Sequence, residues 1–219
     1  MNEPIDMDER RNGRPASFTV KDASDFEGKP VPDRDWLVPS VLTRRSLTLF
    51  AGDGGTGKSL LCLQMQVAAA LGRDWLGLQM PGKINSFAFY CEDDEEEIHR
   101  RLFDILRQSQ SSFSDLGGRV RFISRVGEEN EMVVFKGYKD SAKATRTALF
   151  HQVEDEVKDW GAQIVIIDTA ADAFAGNENI RPQVRAFVNL VRRLALINNG
   201  GVILNSHPSK SAMQDGSGF

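Results

Sequence analysis

Residues 46–71 hold an apolar run, a glycine-rich turn and a helical run with nothing between them. The run is Ser46-Leu-Thr-Leu-Phe-Ala51, and the turn is Gly52-Asp-Gly-Gly-Thr-Gly-Lys-Ser59. The spacing predicts a buried strand over 46–51 and a helix from Lys58 to Leu71, ended by Gly72. The turn fits G-x-x-x-x-G-K-[ST], and strand–turn–helix is the context that motif needs. Glycines let successive backbone N–H groups turn inward as an anion nest. The helix aims its positive end at the same point. Gly52, Asp53, Gly54, Gly55, Thr56, Gly57, Lys58, Ser59 and Leu60 are therefore the candidate nucleotide-binding residues. Lys58 is expected at the β- and γ-phosphates and Ser59 on Mg²⁺. No Asn-Lys-x-Asp segment for reading guanine occurs, which favours ATP.

The rest of the chain repeats the alternation. Strands are expected over 84–91, 119–124, 164–168 and 201–206, and helices over 93–109, 146–160 and 181–198. The central strands do not alternate apolar with polar residues. That pattern predicts an α/β fold, a mainly parallel sheet covered by helices on both faces. Residues 126–145 show no clear period, and Met132-Val-Val-Phe135 is either an extra strand or part of a loop insertion. Residues 1–39 are polar and rich in Pro and Gly, and are expected to be a flexible N-terminal segment with Phe18, Phe26 and Trp36 as anchor points. The remaining residues, 40–219, form the expected catalytic domain.

Parallel strands bring their carboxyl ends to one edge, where open α/β sheets bind ligands. Asp168 ends the run Ile164-Val-Ile-Ile and is placed to hold a water ligand of Mg²⁺. Thr169 follows it, where many ATPases carry a catalytic glutamate, so the base must come from another strand. Six acids, Glu92-Asp-Asp-Glu-Glu-Glu97, follow the apolar run Phe87–Cys91. Asp93 to Glu97 suit a helix N-terminus, as cap and as charge against the dipole. Glu92 lies at the strand's end and is the candidate to polarise water. His207 follows the last strand, Val202-Ile-Leu-Asn-Ser206, and is the candidate γ-phosphate sensor.

The net charge of −4 does not advertise nucleic-acid binding, although a basic channel or loop is compatible with it. Cys62 and Cys91 sit in apolar segments, as buried free thiols in a reducing compartment would. No apolar run spans a bilayer and no signal-peptide core begins the chain, so a cytoplasmic protein with no membrane partner is expected.

Four segments carry a resemblance: 52–59, Tyr90-Cys-Glu-Asp-Asp with Ile98-His-Arg-Arg-Leu102, Val165-Ile-Ile-Asp-Thr169, and Ser206-His-Pro-Ser-Lys210. With these in place the chain, from about Asp35 onward, resembles the RecA-type P-loop ATPases, and within them the AAA-family ATPases akin to plasmid RepA replicative helicases. The resemblance implies a three-layer RecA-like core, Mg²⁺-dependent ATP hydrolysis, and a hexameric ring with nucleotide between subunits and single-stranded DNA through the centre. It implies a helicase or translocase in plasmid, phage or mobile-element replication, with replication proteins as further partners. It assigns Lys58 and Ser59 to phosphate and metal, Glu92 to water activation, Asp168 to the metal shell and His207 to sensing. Such proteins continue past the sensor strand with a DNA-facing loop, more strands and an arginine finger. This sequence stops at Phe219, so a core truncated at its C-terminal end is expected, with Lys210 and Ser211 beginning the loop and a sheet edge left unpaired. The alternative is an ATP-dependent assembly switch or DNA-binding regulatory ATPase that unwinds nothing.

Overall fold

Apolar runs too uniform to leave one face wet have to be covered on both sides, and the fold does this with helices. The computed structural model describes residues 19–136 and 143–207. Lys210 and Ser211, and the expected DNA-facing loop, lie outside the described residues, as does Phe18. The chain divides into two units at the Asp33–Arg34 junction. Within the first, Ala23–Phe26 makes a 3-10 turn capped by Asp22, whose carboxylate accepts from the Ser24 N–H at 2.8 Å. Phe26 is exposed and does not act as an anchor.

The second unit opens with β1 (Trp36–Val38) and β2 (Leu42–Thr43), an antiparallel pair. These residues bury Leu37, Val38 and Leu42 completely, so Trp36–Val38 is a strand although it lies before residue 40. Five strands follow in the central sheet: β3 (Ser46–Ala51), β4 (Ser86–Tyr90), β5 (Val120–Ser124), β8 (Ile164–Asp168) and β10 (Gly201–Ser206). Their order is β3-β10-β8-β4-β5 and every pairing is parallel. The outer strand β3 leaves Leu49 exposed.

Helices α1 (Lys58–Leu71) and α2 (Glu95–Gln108) share one apolar cluster with Ala88, Ile166 and Ile203 on the sheet. Helices α3 (Ala148–Trp160) and α5 (Arg181–Ile197) share the other with Phe87, Phe89, Val165 and Val202. This is the three-layer RecA-like α/β core expected from the sequence. The predicted α2 stripe, Ile98, Leu102, Ile105 and Leu106, is the face that buries. On α3 the stripe turns: Phe150 is buried beside Val153 and Val157, while Leu149 and Trp160 are half-buried. The Trp160 ring is covered by the Arg121 guanidinium, 4.5 Å from its centre.

The unpatterned middle of the chain also forms a sheet. Its strands are β6 (Val133–Lys136), β7 (Lys143–Arg146) and β9 (Phe174–Ala175), in the order β7-β6-β9. Between β8 and β9 lies a single turn, α4 (Ala170–Ala173). So Val133–Phe135 of that segment belong to a strand, as one of the two readings had it, and Met132 lies just before it.

Gly200 and Gly201 do more than stop α5. A Cβ on Gly201 would lie 2.7 Å from Leu42 Cγ, and one on Gly200 would collide with the Gln163 carbonyl. The start of β10 thus passes too close to its neighbours for any side chain.

Candidate active site

The cradle is built by β3, its turn and the first residues of α1. Gly52 N–H donates to the Ser206 carbonyl at 3.3 Å, which ties the turn to the end of β10. Gly55 and Gly57 take φ of +75° and +85°, a region that disfavours a side chain. Thr56 Oγ1 donates to the Asp53 carbonyl at 2.8 Å and closes the turn on itself. Gly57 caps α1 without a side-chain hydrogen bond, and the first turn holds no acid. The first N–H groups of a helix have no partner inside it, so those of α1 stand open at its positive end. Lys58 Nζ donates to the carbonyls of Gly52 and Asp53 at 2.7 and 2.9 Å, which folds the ammonium over the turn.

The other groups arrive from neighbouring strands. In register, Tyr90 pairs with Asp168 across β4 and β8, and Ser206 pairs with Ala51 across β10 and β3. Asp168 is 2% exposed, and this burial raises its carboxyl pKa above the usual value, against the pull of Ser59 and Asn205. The Asp168–Thr169 peptide is cis. Glu92, two residues beyond β4, is exposed. His207, just beyond β10, stands between this carboxylate and the cradle. Its Nδ1 lies 3.4 Å from Lys58 Nζ and its Nε2 lies 3.6 Å from Glu92 Oε1. An ammonium can only donate, so Nδ1 is the acceptor and, in the neutral ring, Nε2 carries the proton that faces Glu92.

Lys58, Ser59, Leu60, Glu92, Asp168 and His207 line one cavity of about 280 Å³, together with Gly55 and Gly57. Gly52, Asp53, Gly54 and Thr56 shape the turn without lining that cavity. A larger groove of about 690 Å³ runs along β5 and α3. Its arginines are already paired, Arg121 with Glu156 and Arg125 with Glu128, and it holds no comparable cluster.

The structure divides the acidic run more finely than the sequence did. Asp94 is the cap of α2, its carboxylate accepting from the Glu97 N–H at 2.7 Å. Asp93 caps nothing: it lines the cavity and pairs with Arg101 Nη1 at 2.6 Å. Arg101 Nε also pairs with Glu97 at 2.8 Å. Arg101, held by these two carboxylates, is thus a wall of the site. The i, i+4, i+8 spacing of Asp93, Glu97 and Arg101 was the available signal. Asn205 was missed as well. It is wholly buried, and its Oδ1 accepts from the Cys62 thiol at 3.5 Å. An asparagine inside an otherwise apolar strand was the clue. Burial pushes the Cys62 and Cys91 thiols up to about 12, which makes both inert free cysteines.

The donor set suits a nucleotide with a divalent cation. Open amides and an ammonium face a polyanion, while a hydroxyl and a carboxylate are hard oxygen ligands. Among the described residues no group of three His, Cys, Asp or Glu side chains could hold a metal alone. Mg²⁺ usually completes its shell with phosphate oxygens and water, so two protein groups such as Ser59 and Asp168 would suffice to hold it.

Among the described residues no helix is long and apolar enough to cross a membrane. No curated protein matches the chain. A family model described as an AAA domain matches residues 13–213, nearly the whole sequence. The chain therefore belongs to the AAA domain family and is a nucleotide-binding ATPase.

Proposed function

We propose that the chain is a Mg²⁺-dependent motor subunit that hydrolyses ATP to move along or unwind DNA, working as a hexameric ring in plasmid, phage or mobile-element replication. The observation that carries the catalytic part is the meeting of Glu92, Asp168 and His207, from the ends of three strands, on one cradle. In this reading the amides of 54–59 and Lys58 hold the β- and γ-phosphates. Ser59 and Asp168 would hold the metal. Mg²⁺ would supply neutralisation of charge on the phosphate oxygens. Glu92 aligns a water with the γ-phosphorus, and phosphoryl transfer then depends on position and electrostatics. His207, in reach of both Lys58 and Glu92, reports whether the terminal phosphate is present.

The motor part rests on the sequence resemblance. Two single variants test the catalytic roles. Lys58→Ala is expected to weaken nucleotide binding by about tenfold or more, an ammonium–phosphate contact being charge-assisted. Glu92→Gln is expected to bind ATP as tightly as the parent and to lose turnover by at least about 100-fold. Normal hydrolysis by Glu92→Gln removes that residue from the mechanism.

A further inference from the structure

Gln66, Ser86 and Tyr90 form a polar chain inside the apolar interface of α1 and β4. None is more than 2% exposed. Tyr90 Oη donates to Gln66 Oε1 at 2.9 Å, and Gln66 Nε2 donates to Ser86 Oγ at 3.2 Å. Leu63, Ile98 and Ile166 belong to the same cluster, so an aliphatic side chain would be at home at each site. Burying polar groups costs free energy that such side chains would avoid. What the polar chain adds is direction: a hydrogen bond holds one geometry where oil-like contact tolerates several.

The placement shows which geometry is held. Ser86 is the first residue of β4 and Tyr90 the last. One amide therefore grips the strand at both ends, and Ala88, on the same face between them, leaves room for it. The Tyr90 ring is backed by an edge contact with Phe122 on β5, centroids 6.3 Å apart. These contacts oppose sliding or tilting of β4 against α1. Helix α1 starts with Lys58 and Ser59, and Glu92 lies two residues past Tyr90. None of the three polar residues lines the cavity.

We infer that the Gln66–Tyr90–Ser86 chain is a positioning device that sets the distance between the phosphate cradle and Glu92. The inference rests on the role proposed above for Glu92. The members of the polar chain stand outside the cavity lining, so it acts only through the placement of β4.

The test is a kinetic cycle on the full chain. Tyr90→Phe is expected to lower kcat by about 10- to 100-fold, the scale of a small misplacement of a reacting group. Its KM and nucleotide Kd are expected to stay within about twofold of the parent, since ground-state binding is untouched. In a Glu92→Gln background, single-turnover rates are expected to show no further loss from Tyr90→Phe. The triple variant Gln66→Met, Ser86→Ala, Tyr90→Phe leaves no orphaned polar atom. It is expected to recover the parent's melting temperature while kcat stays low. A triple variant with the parent's kcat overturns the inference, as does an equal loss from Tyr90→Phe with and without Glu92. If Glu92→Gln alone turns over normally, the role of Glu92 fails first, and the positioning device fails with it.

Discussion

Asp168 shows how a side chain proposed to hold a metal works against the fold that buries it. Its carboxyl is enclosed by β8, β10 and α1, and burial raises its pKa from an ordinary 3.8. A carboxyl whose pKa is raised on folding holds its proton more tightly in the folded state. Its contribution to stability is therefore full below pH 3.8 and is lost as pH rises through the folded value. At neutral pH the ionised group is a net cost. Asp168→Asn is expected to raise the melting temperature at pH 7, with the gain shrinking toward pH 3, and to lower turnover by about 100-fold or more. Thermal denaturation across that pH range checks the first half, and a lower melting temperature at pH 7 would refute it. The same scale shows why only part of the site was legible. Lys58, Ser59 and Asp168 are marked by motif and strand position. Asp93 and Asp94 are chemically identical neighbours, and only the backbone path after β4 decides that one faces the cavity and the other caps the helix.

At the scale of elements, local rules placed most boundaries. Gly72 and Gly161 end α1 and α3 in the left-handed conformation, and Asp94 and Thr147 cap α2 and α3. The cap of α2 matters for more than the helix, because Glu92 and Asp93 sit directly before it. Asp94→Ala is expected to cost about 1 kcal/mol in urea denaturation, the usual worth of such a cap. A change of under about 0.3 kcal/mol would mean that the helix dipole and the Glu95–Glu97 charges hold that end without it. What local rules did not reveal is the small second sheet. Strand β6 pairs antiparallel with β7 and parallel with β9, a two-residue strand some forty positions later. Neither partner carries a period of its own, so the sequence leaves the segment open between strand and loop, and the burial of Met132 and Val133 decides for the strand.

At the scale of the whole molecule, the order β3-β10-β8-β4-β5 gathers the chemistry. Every strand is parallel, so the residues after β3, β4, β8 and β10 all emerge at one edge of the sheet. The motor reading predicts that single-stranded DNA raises the ATPase rate, and that the stimulation falls steeply between about 50 and 200 mM salt as phosphate contacts are screened. An intact ATPase indifferent to DNA would point to the assembly switch. By itself the sequence determined the layered α/β class, the phosphate cradle and the strand that ends in Asp168. Each of these is written in neighbouring residues, as a period, a glycine pattern or an abrupt end to an apolar run. Only the tertiary structure decided that His207 stands between Lys58 and Glu92, that Arg101 walls the cavity, and that Gln66 spans β4. Those contacts join residues 8 to 149 positions apart. Most of them depend on which strands lie side by side, and the Arg101 pairing depends on the angle at which α2 leaves β4.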